Sequence, residues 1–196
     1  EFRNSESGQH VLHIRTLTGL LLHQLAQKTD RYQLDESDIS LISTASALHD
    51  IGKIMIPEEI LNKPGRLTEE EYATIKTHTT EGARILKGLA IGQDEPLVKV
   101  AHAICRWHHE RWDGGGYPDR LKGDEIPIAA QVVALADVYD ALTSERCYKQ
   151  SYSHEKAVDM ILHGECGSFN PLLMECLKES SELLRTELQR SEYDRG

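Results

Sequence analysis

The sequence predicts an all-α domain, and three observations support this fold class. Apolar residues recur at helical spacing along most of the 196 residues. Alternating apolar and polar runs, which would indicate strands, are almost absent. The breaks between periodic segments fall at clusters of Gly, Pro, Asn and Asp, which are typical of turns. A chain of this length is long enough for one well-buried domain and short for two.

Helix boundaries follow from capping residues and from the apolar stripes. Thr68 and Glu71 form a predicted capping box, and Ser153 is a predicted N-cap. Pro127 suits a first helical turn, because an amide hydrogen is not needed there. The predicted helices cover residues 8–27, 36–49, 68–87, 95–109, 127–145 and 153–163, and a last helix starts near Pro171. The longest irregular segment, 113–126, has the length of functional or mobile loops.

Composition and charge exclude several classes of protein. With 39% apolar and 28% charged residues, the chain is not intrinsically disordered. No apolar run could cross a bilayer, and no signal-peptide pattern stands at the start. The formal charge of −10 argues against binding of a nucleic-acid polymer, but it allows a small anionic ligand in a cleft that holds metal ions or basic residues. The four cysteines form no CxxC pair, which fits a reducing cytoplasm.

The strongest local signal is LHDIGKIMIPEEIL at residues 48–61, where His49 and Asp50 stand at a predicted helix end. A single His-Asp pair is common on protein surfaces. This pair, however, follows the apolar stripe of a predicted buried helix, and Lys53 comes three residues later. Because further histidines and aspartates recur at other helix ends, we expect a metal site here.

The other candidate ligands lie in later segments. His78 stands in KTHTTEG, and His108 and His109 are adjacent in HHERWDGGGYP. Asp137 lies within the apolar run VVALADVYDAL, where a carboxylate is costly unless it is paired or bound to metal. Asp140 follows three residues later on the same helical face. Imidazoles and carboxylates together suit iron, manganese or zinc.

Two residues near the start complete the predicted ligand set. Glu6 and His10 are four residues apart, so they share a face if this segment is helical. One ion cannot use eight ligands, but a cluster of two or three ions can, with positions left for water and substrate. The eight candidate ligands are Glu6, His10, His49, Asp50, His78, His108, His109 and Asp137.

Four motifs in this order resemble the HD-GYP family of HD-superfamily phosphohydrolases: HDIGK, KTHTTEG, HHERWDGGGYP and DVYDALTSERCYK. The resemblance runs from about Glu6 to Pro171. It implies an HD-domain helical bundle with a long GYP-containing loop over residues 6–190, with linker or vector residues at 1–5 and a charged tail at 191–196. It also implies hydrolysis of the bacterial second messenger cyclic di-GMP to linear pGpG, and to GMP after a second turnover. Two or three divalent ions, iron or manganese, would be the cofactors.

The resemblance also assigns roles to residues. It makes Asp50 the bridging carboxylate, and it makes Glu6 and His10 the extra ligands of members that hold a third ion. Asp140 would orient the attacking water or accept its proton, and Tyr117 would contact a guanine or a protein partner. The residues expected near the substrate phosphate are Lys53, Asp140, Arg146 and Lys149. The core ligands implied are His49, Asp50, His78, His108, His109 and Asp137.

Two positions depart from the family pattern. His13 stands where an arginine is usual, and Asn170 stands where an aspartate is usual. Neither is a ligand position, and we expect His13 to be a packing or surface residue. The glycines at 114–116 are expected to let the loop lie close over a bulky dinucleotide, because they tolerate backbone angles that other residues avoid.

Three other interpretations remain open. The same ligands would serve an HD-GYP hydrolase of another cyclic dinucleotide, such as cyclic GMP-AMP. A non-catalytic effector would bind cyclic di-GMP, or would dock a GGDEF-domain cyclase through its GYP loop. The third is a structural helical domain with incidental histidines. The resemblance further implies an output domain taken from a larger regulator, and a homodimer is compatible with the sequence.

Overall fold

A computed structural model describes residues 8–89, 94–144 and 151–193 of the chain. These residues contain no β-strand, so the predicted all-α fold class is confirmed. Two 3-10 helices, Ile51–Met55 and Gly123–Glu125, lie between the α-helices. The α-helices are α1 (Gly8–Lys28), α2 (Glu36–Ser46), α3 (Glu58–Leu61), α4 (Glu69–Lys76), α5 (His78–Lys87), α6 (Pro96–Trp107), α7 (Ile128–Thr143), α8 (His154–Leu162) and α9 (Pro171–Tyr193).

Helices α1 and α7 form the centre of the bundle. Helix α1 packs against α2, α7 and α9, and α6 packs against α2, α5 and α7. Helix α7 is buried on most of its circumference, as expected for its nearly continuous apolar sequence. The apolar face of α1 is fully enclosed and consists of Ile14, Leu17, Leu21, Leu22 and Leu25. In the described part of the chain, no helix combines the length and apolarity that a membrane span requires.

The predicted helix over 68–87 is wrong in one respect, because it is two helices that meet at Thr77. The capping box of Thr68 and Glu71 is present, as predicted. Four consecutive side chains then bond to carbonyls three residues earlier, in competition with the backbone ladder. These bonds are Thr77 Oγ1 to Thr74 O (2.6 Å), His78 Nδ1 to Ile75 O (2.7 Å), Thr79 Oγ1 to Lys76 O (2.9 Å) and Thr80 Oγ1 to Thr77 O (3.0 Å). The break turns the His78 ring into the interior.

Other boundaries differ by a few residues from those predicted. Helix α2 ends at Ser46, so His49 and Asp50 lie in the turn that follows and not in the helix. Pro127 is the N-cap of α7 and not part of its first turn. Helix α9 continues to Tyr193, beyond the predicted domain limit at 190, and the domain limits themselves stay a prediction. Asn170 caps α9 from a buried position, where its oxygen accepts the Leu172 amide hydrogen (2.9 Å).

Gly52 allows the 3-10 helix Ile51–Met55 to lie directly on the start of α5. A Cβ atom at Gly52 would overlap the carbonyl oxygen of His78 and approach the amide nitrogen of Gly82. Both neighbours are backbone atoms of a helix, so they cannot move aside as a flexible side chain could. This close approach holds the turn with His49 and Asp50 against the helix that begins with His78.

We expect Gly52→Ala to destabilise the fold by at least about 2 kcal/mol, because the added methyl group overlaps backbone atoms. Chemical denaturation would measure the change in the free energy of unfolding. Gly88→Ala is the matched control: Gly88 caps α5 at φ −82, and the nearest atom to an added Cβ is 3.4 Å away. Equal stability of the two variants would contradict the close approach at Gly52.

Candidate metal centre

The predicted ligands that the structure describes come together from five segments of the chain. His49 and Asp50 follow the end of α2, and His78 is the first residue of α5. The other segments contribute one or two residues each: His108 and His109 follow α6, His10 lies in the first turn of α1, and Asp137 lies in α7. Glu6 lies outside the described residues. Seven of the eight predicted ligands can therefore be compared with the structure.

Backbone carbonyls fix the orientation of three imidazole rings. In each ring, Nδ1 lies at hydrogen-bond distance from a carbonyl oxygen in the last turn of the preceding helix. A carbonyl can only accept, so Nδ1 carries the hydrogen and Nε2 keeps its lone pair in the neutral ring. The contacts are His49 Nδ1 to Ser46 O (2.9 Å), His78 Nδ1 to Ile75 O (2.7 Å) and His108 Nδ1 to Ile104 O (2.9 Å).

The Nε2 atoms of these three rings and of His10 face one another in pairs. His78 Nε2 lies 3.4 Å from His108 Nε2, and His10 Nε2 lies 3.3 Å from His49 Nε2. Two lone pairs that face each other repel, and only a proton or a metal ion beside them removes the repulsion. Imidazole nitrogens that converge in this way are a typical arrangement of metal ligands.

Asp50 lies between the two pairs and faces both. Its Oδ1 is 3.3 Å from His78 Nε2 and 3.8 Å from His108 Nε2. Its Oδ2 is 3.2 Å from His49 Nε2 and 2.6 Å from Lys53 Nζ. Oδ1 is buried and has no hydrogen-bond partner, which is rare for a carboxylate oxygen in a folded protein. A carboxylate that offers one oxygen to each of two ligand groups is suited to bridge two ions.

Two groups of residues have the ligand atoms and the spacing to hold an ion. The first consists of Asp50, His78, His108 and His109, and the second of His10, His49 and Asp50. In each group the ligand atoms lie within 4.8 Å of one another. Asp137 is near the second group, with Oδ1 3.8 Å from His10 Nε2 and its side chain 20% exposed. The donor set of the two groups, five imidazoles with the Asp50 carboxylate and no thiolate, fits a divalent ion of iron, manganese or zinc.

Burial and the charge of Asp50 shift the pKa values of the histidines in opposite directions. Burial lowers the pKa values of His78, His108 and His109, so these rings are neutral at pH 7. Burial would also lower the pKa of His49, but the charge of Asp50 and its hydrogen bond raise it to about 9. His49 Nε2 faces Asp50, so a proton on this nitrogen lies between the ring and the carboxylate. A metal ion bound there would take the place of the proton. Burial would raise the pKa of Asp50, but His49 and Lys53 lower it well below its usual range.

Asp140 has different neighbours from those predicted. Its side chain is 1% exposed, and both oxygens are engaged: Oδ2 lies 2.7 Å from His10 Nδ1, and Oδ1 lies 2.7 Å from His13 Nδ1. Ser144 donates its hydroxyl hydrogen to Oδ1 (2.8 Å). Burial would raise the pKa of Asp140, but the bonds from His10 and His13 lower it. Both oxygens of this carboxylate are thus turned to histidines of α1, and its predicted role toward a water or a phosphate stays a prediction.

His13 is a residue of this site that sequence reasoning missed. It was expected to be a packing or surface residue, but it is buried and bonded to Asp140. Its spacing was a usable signal: His10 and His13 are three residues apart and share one face of α1. That signal becomes informative only once α1 is known to pack against α7.

The GYP loop folds back on its own start. The Tyr117 amide donates to His109 O (3.3 Å), and the Tyr117 ring stacks on the His109 ring with centroids 4.9 Å apart and an interplanar angle of 25°. A Cβ atom at Gly116 would overlap the backbone of Glu110 and Arg111. The glycine that was expected to let the loop approach a nucleotide therefore lets it approach the backbone next to the paired histidines.

Two carboxylates anchor the loop beyond its glycines. Buried Glu110 accepts the Asp119 amide hydrogen (2.7 Å). Asp119 in turn accepts two hydrogens from the Arg106 guanidinium (2.7 and 2.8 Å) and one from the Trp107 indole (2.8 Å). These contacts tie the loop to the last turn of α6, directly before His108. The loop thereby supports the ligand segment from outside.

The residues expected to bind the phosphate are only partly described. Lys53 is next to the centre through its contact with Asp50. Tyr117 lies beside His109, and Lys76 Nζ is 5.8 Å from the centroid of its ring. Arg146 and Lys149 lie outside the described residues, so their predicted role stays a prediction.

An all-α bundle with a buried histidine and aspartate cluster defines the class of this protein as a helical domain built around a candidate metal centre. The model of a family described as the HD domain matches residues 9–169. The chain therefore belongs to the HD domain family, and the predicted HD-GYP resemblance is confirmed. HD domain phosphohydrolases bind divalent metal ions, and the cluster described above supplies suitable ligands.

Relatives with curated names differ in the cyclic dinucleotide that they are named for. A Vibrio cholerae protein named "Probable cyclic di-GMP phosphodiesterase" is 43% identical over 179 residues, covering 89% of this chain and 40% of that protein. Another Vibrio cholerae protein, "3'3'-cGAMP-specific phosphodiesterase 2", is 40% identical over 179 residues, covering 91% of this chain and 32% of that protein. The chain thus spans less than half the length of these relatives.

A solved structure supports the fold. An HDG"Y"P protein from Bdellovibrio bacteriovorus matches with a TM-score of 0.63 and 22% identity, covering 92% of this chain and 54% of that chain. At this identity the likeness concerns the fold alone. It agrees with the helical bundle expected for an HD domain.

We expect Gly116→Ala to disturb the GYP loop, because an added methyl group would overlap the backbone at Glu110 and Arg111. Faster proteolytic cleavage between 110 and 121 and a lower melting temperature would report the change. The neighbouring Gly115→Ala is the control: the nearest atom to its Cβ is a side-chain oxygen, Asp113 Oδ1, at 3.1 Å, which can rotate away. If both variants resist proteolysis as the unchanged chain does, the loop is not held as described.

Proposed function

We propose that the chain is a metal-dependent phosphodiesterase that hydrolyses a cyclic dinucleotide, with cyclic di-GMP as the first candidate substrate. One observation carries the proposal: Asp50 offers one oxygen to each of two groups of imidazole Nε2 atoms, and its buried Oδ1 has no hydrogen-bond partner. The relative named for cyclic di-GMP, at 43% identity, supports the choice of substrate.

The proposed centre holds at least two divalent ions, iron or manganese. Asp50, His78, His108 and His109 would hold one ion, and His10, His49 and Asp50 would hold the other. Asp137 is a proposed additional ligand on the side of His10. Glu6 is a proposed ligand from the sequence alone, and a third ion would use it. The absence of thiolate ligands from both groups favours iron or manganese over a structural zinc site.

In the proposed hydrolysis, the residues around Asp50 would hold the ions and place positive charge beside the phosphate. When bound, the ions would supply a water of lowered pKa and positive charge opposite the phosphodiester oxygens. Asp50 would hold both ions through its two oxygens. Lys53, 2.6 Å from Asp50, would add positive charge beside the phosphate, and Arg146 and Lys149 are proposed to do the same. The bond that breaks joins phosphorus to a 3′-oxygen, so the product is linear pGpG, and GMP would need a second turnover.

Cyclic GMP-AMP is the second candidate substrate, since a relative named for it is 40% identical over 91% of this chain. The same ligand residues would act on either phosphodiester. Docking of a GGDEF-domain protein on the GYP loop, a homodimer and a cytoplasmic location stay predictions from the sequence. A non-catalytic effector remains the rival class of function.

A substrate panel would test the proposed activity. The chain, loaded with Mn²⁺ or Fe²⁺ without oxygen, would be incubated with cyclic di-GMP, 3′3′-cyclic GMP-AMP and a linear dinucleotide. We expect linear pGpG to appear fastest, as measured by chromatography, and chelation to stop the reaction. Faster hydrolysis of cyclic GMP-AMP would make it the substrate in place of cyclic di-GMP. If the chain binds a cyclic dinucleotide but hydrolyses none of them, the effector function is favoured.

We expect Asp50→Asn to lower the number of bound ions and to reduce turnover by at least about a hundredfold. The amide keeps the shape of the side chain but removes the charge and one of the two bridging oxygens, which is worth several kcal/mol of transition-state stabilisation. Elemental analysis and turnover would be measured on the same preparation. Asp159→Asn, at an exposed carboxylate of α8, is the control. Normal ion content and normal turnover in Asp50→Asn would rule out a bridging role.

A further inference from the structure

His10 differs from the other oriented histidines in what holds its ring. His49, His78 and His108 each bond to a carbonyl in the last turn of the helix that precedes them. His10 lies in the first turn of α1, where amide hydrogens and not carbonyls are unpaired. Its Nδ1 therefore needs an acceptor from elsewhere, and Asp140 of α7 supplies it at 2.7 Å.

Asp140 is fixed by a second imidazole on its other oxygen. His13 Nδ1 lies 2.7 Å from Oδ1, while His10 Nδ1 lies 2.7 Å from Oδ2. His13 is 3% exposed and Asp140 1% exposed, so water does not compete for these bonds. An ionised carboxylate only accepts, so both rings carry their hydrogen on Nδ1. For His10 this tautomer leaves the lone pair on Nε2, which points towards His49 Nε2.

We propose that His13 is a positioning residue for His10, acting through Asp140. By donating to Oδ1 together with the Ser144 hydroxyl (2.8 Å), His13 sets the rotation of the carboxylate, and the carboxylate then sets the tautomer and direction of the His10 ring. The consequence for metal binding rests on the proposed function: His13 would control the affinity for the ion beside His10, His49 and Asp50. The other ligand group, with His78, His108 and His109, contains no residue held in this way among those described.

The matched pair of variants is His13→Leu and His13→Asn. Leucine removes the donor with little change in volume, whereas the asparagine amide can place a donor close to the position of Nδ1. His23→Leu is the control for the same substitution on α1, because the exposed His23 ring bonds to Gly19 O of its own helix. Asp140→Asn is the second test, since an amide group cannot accept from both histidines through two oxygens.

The first measurement uses metal-free protein. Long-range ¹H–¹⁵N correlation spectra report which nitrogen of each imidazole carries the hydrogen. We expect His10 to be in the Nδ1–H form in the unchanged chain, in His13→Asn and in His23→Leu. In His13→Leu and Asp140→Asn we expect a mixture of tautomers. An unchanged His10 tautomer in both of these variants would overturn the proposal, and if His13→Leu does not fold, Asp140→Asn decides.

The second measurement is a Mn²⁺ titration followed by electron paramagnetic resonance. We expect His13→Leu to weaken the binding of one of the two ions about tenfold or more, as for other residues that orient metal ligands, and the binding of the other ion to be unaffected. His13→Asn should restore most of the affinity. Equal losses in the leucine and asparagine variants would show that the role of His13 is packing alone. If the unchanged chain binds no Mn²⁺, the proposed function fails, while the His10 tautomer still decides whether His13 positions His10.

Discussion

The structure of this domain depends on one buried carboxylate. Asp50 is 15% exposed and is surrounded by imidazoles, and a buried charge without compensating partners costs several kcal/mol. The three histidines beside it that follow or interrupt helices bond through Nδ1 to carbonyls of the last helical turns. These bonds aim the Nε2 atoms at Asp50. The orientation of these ligands therefore depends on where the helices end.

Close approaches of the backbone bring these helix ends together. Gly52 allows the turn with Asp50 to contact the backbone at the start of α5. Gly116 allows the GYP loop to contact the backbone directly after His109. The Cys105 thiol donates to Leu48 O (3.0 Å), which links α6 to the residue before His49. Burial raises the pKa of this thiol to about 12, so it stays a protonated donor and not a thiolate ligand. A set of short contacts, each allowed by a small residue, thus fixes the spacing of the centre.

The sequence predicts the helices and the residues that gather around Asp50 well, because both depend on local signals. Apolar periodicity and capping boxes identify the helices, and a carboxylate in an apolar run such as the one around Asp137 is informative by itself. The break at Thr77 was missed, since hydroxyl bonds to the backbone compete with a helix pattern that continues through them. The partnership of His13 with Asp140 was missed for another reason. It depends on how α1 packs against α7, and no local pattern specifies which of several polar residues will meet across two helices.

Under the proposed function, substrate choice would reside outside the residues that face Asp50. Relatives named for different cyclic dinucleotides are 43% and 40% identical to this chain, and a phosphodiester is common to both substrates. To discriminate between guanine and adenine, a site needs polar groups that hydrogen-bond to one base. The same groups are left without partners when the other base is bound. The Tyr117 ring stacks on His109 and lies near Lys76, and its contact with a base stays a prediction. Positioning and specificity would then be separate tasks: residues such as His13 and Asp140 would act on the metal ligands, whereas other residues would contact the base.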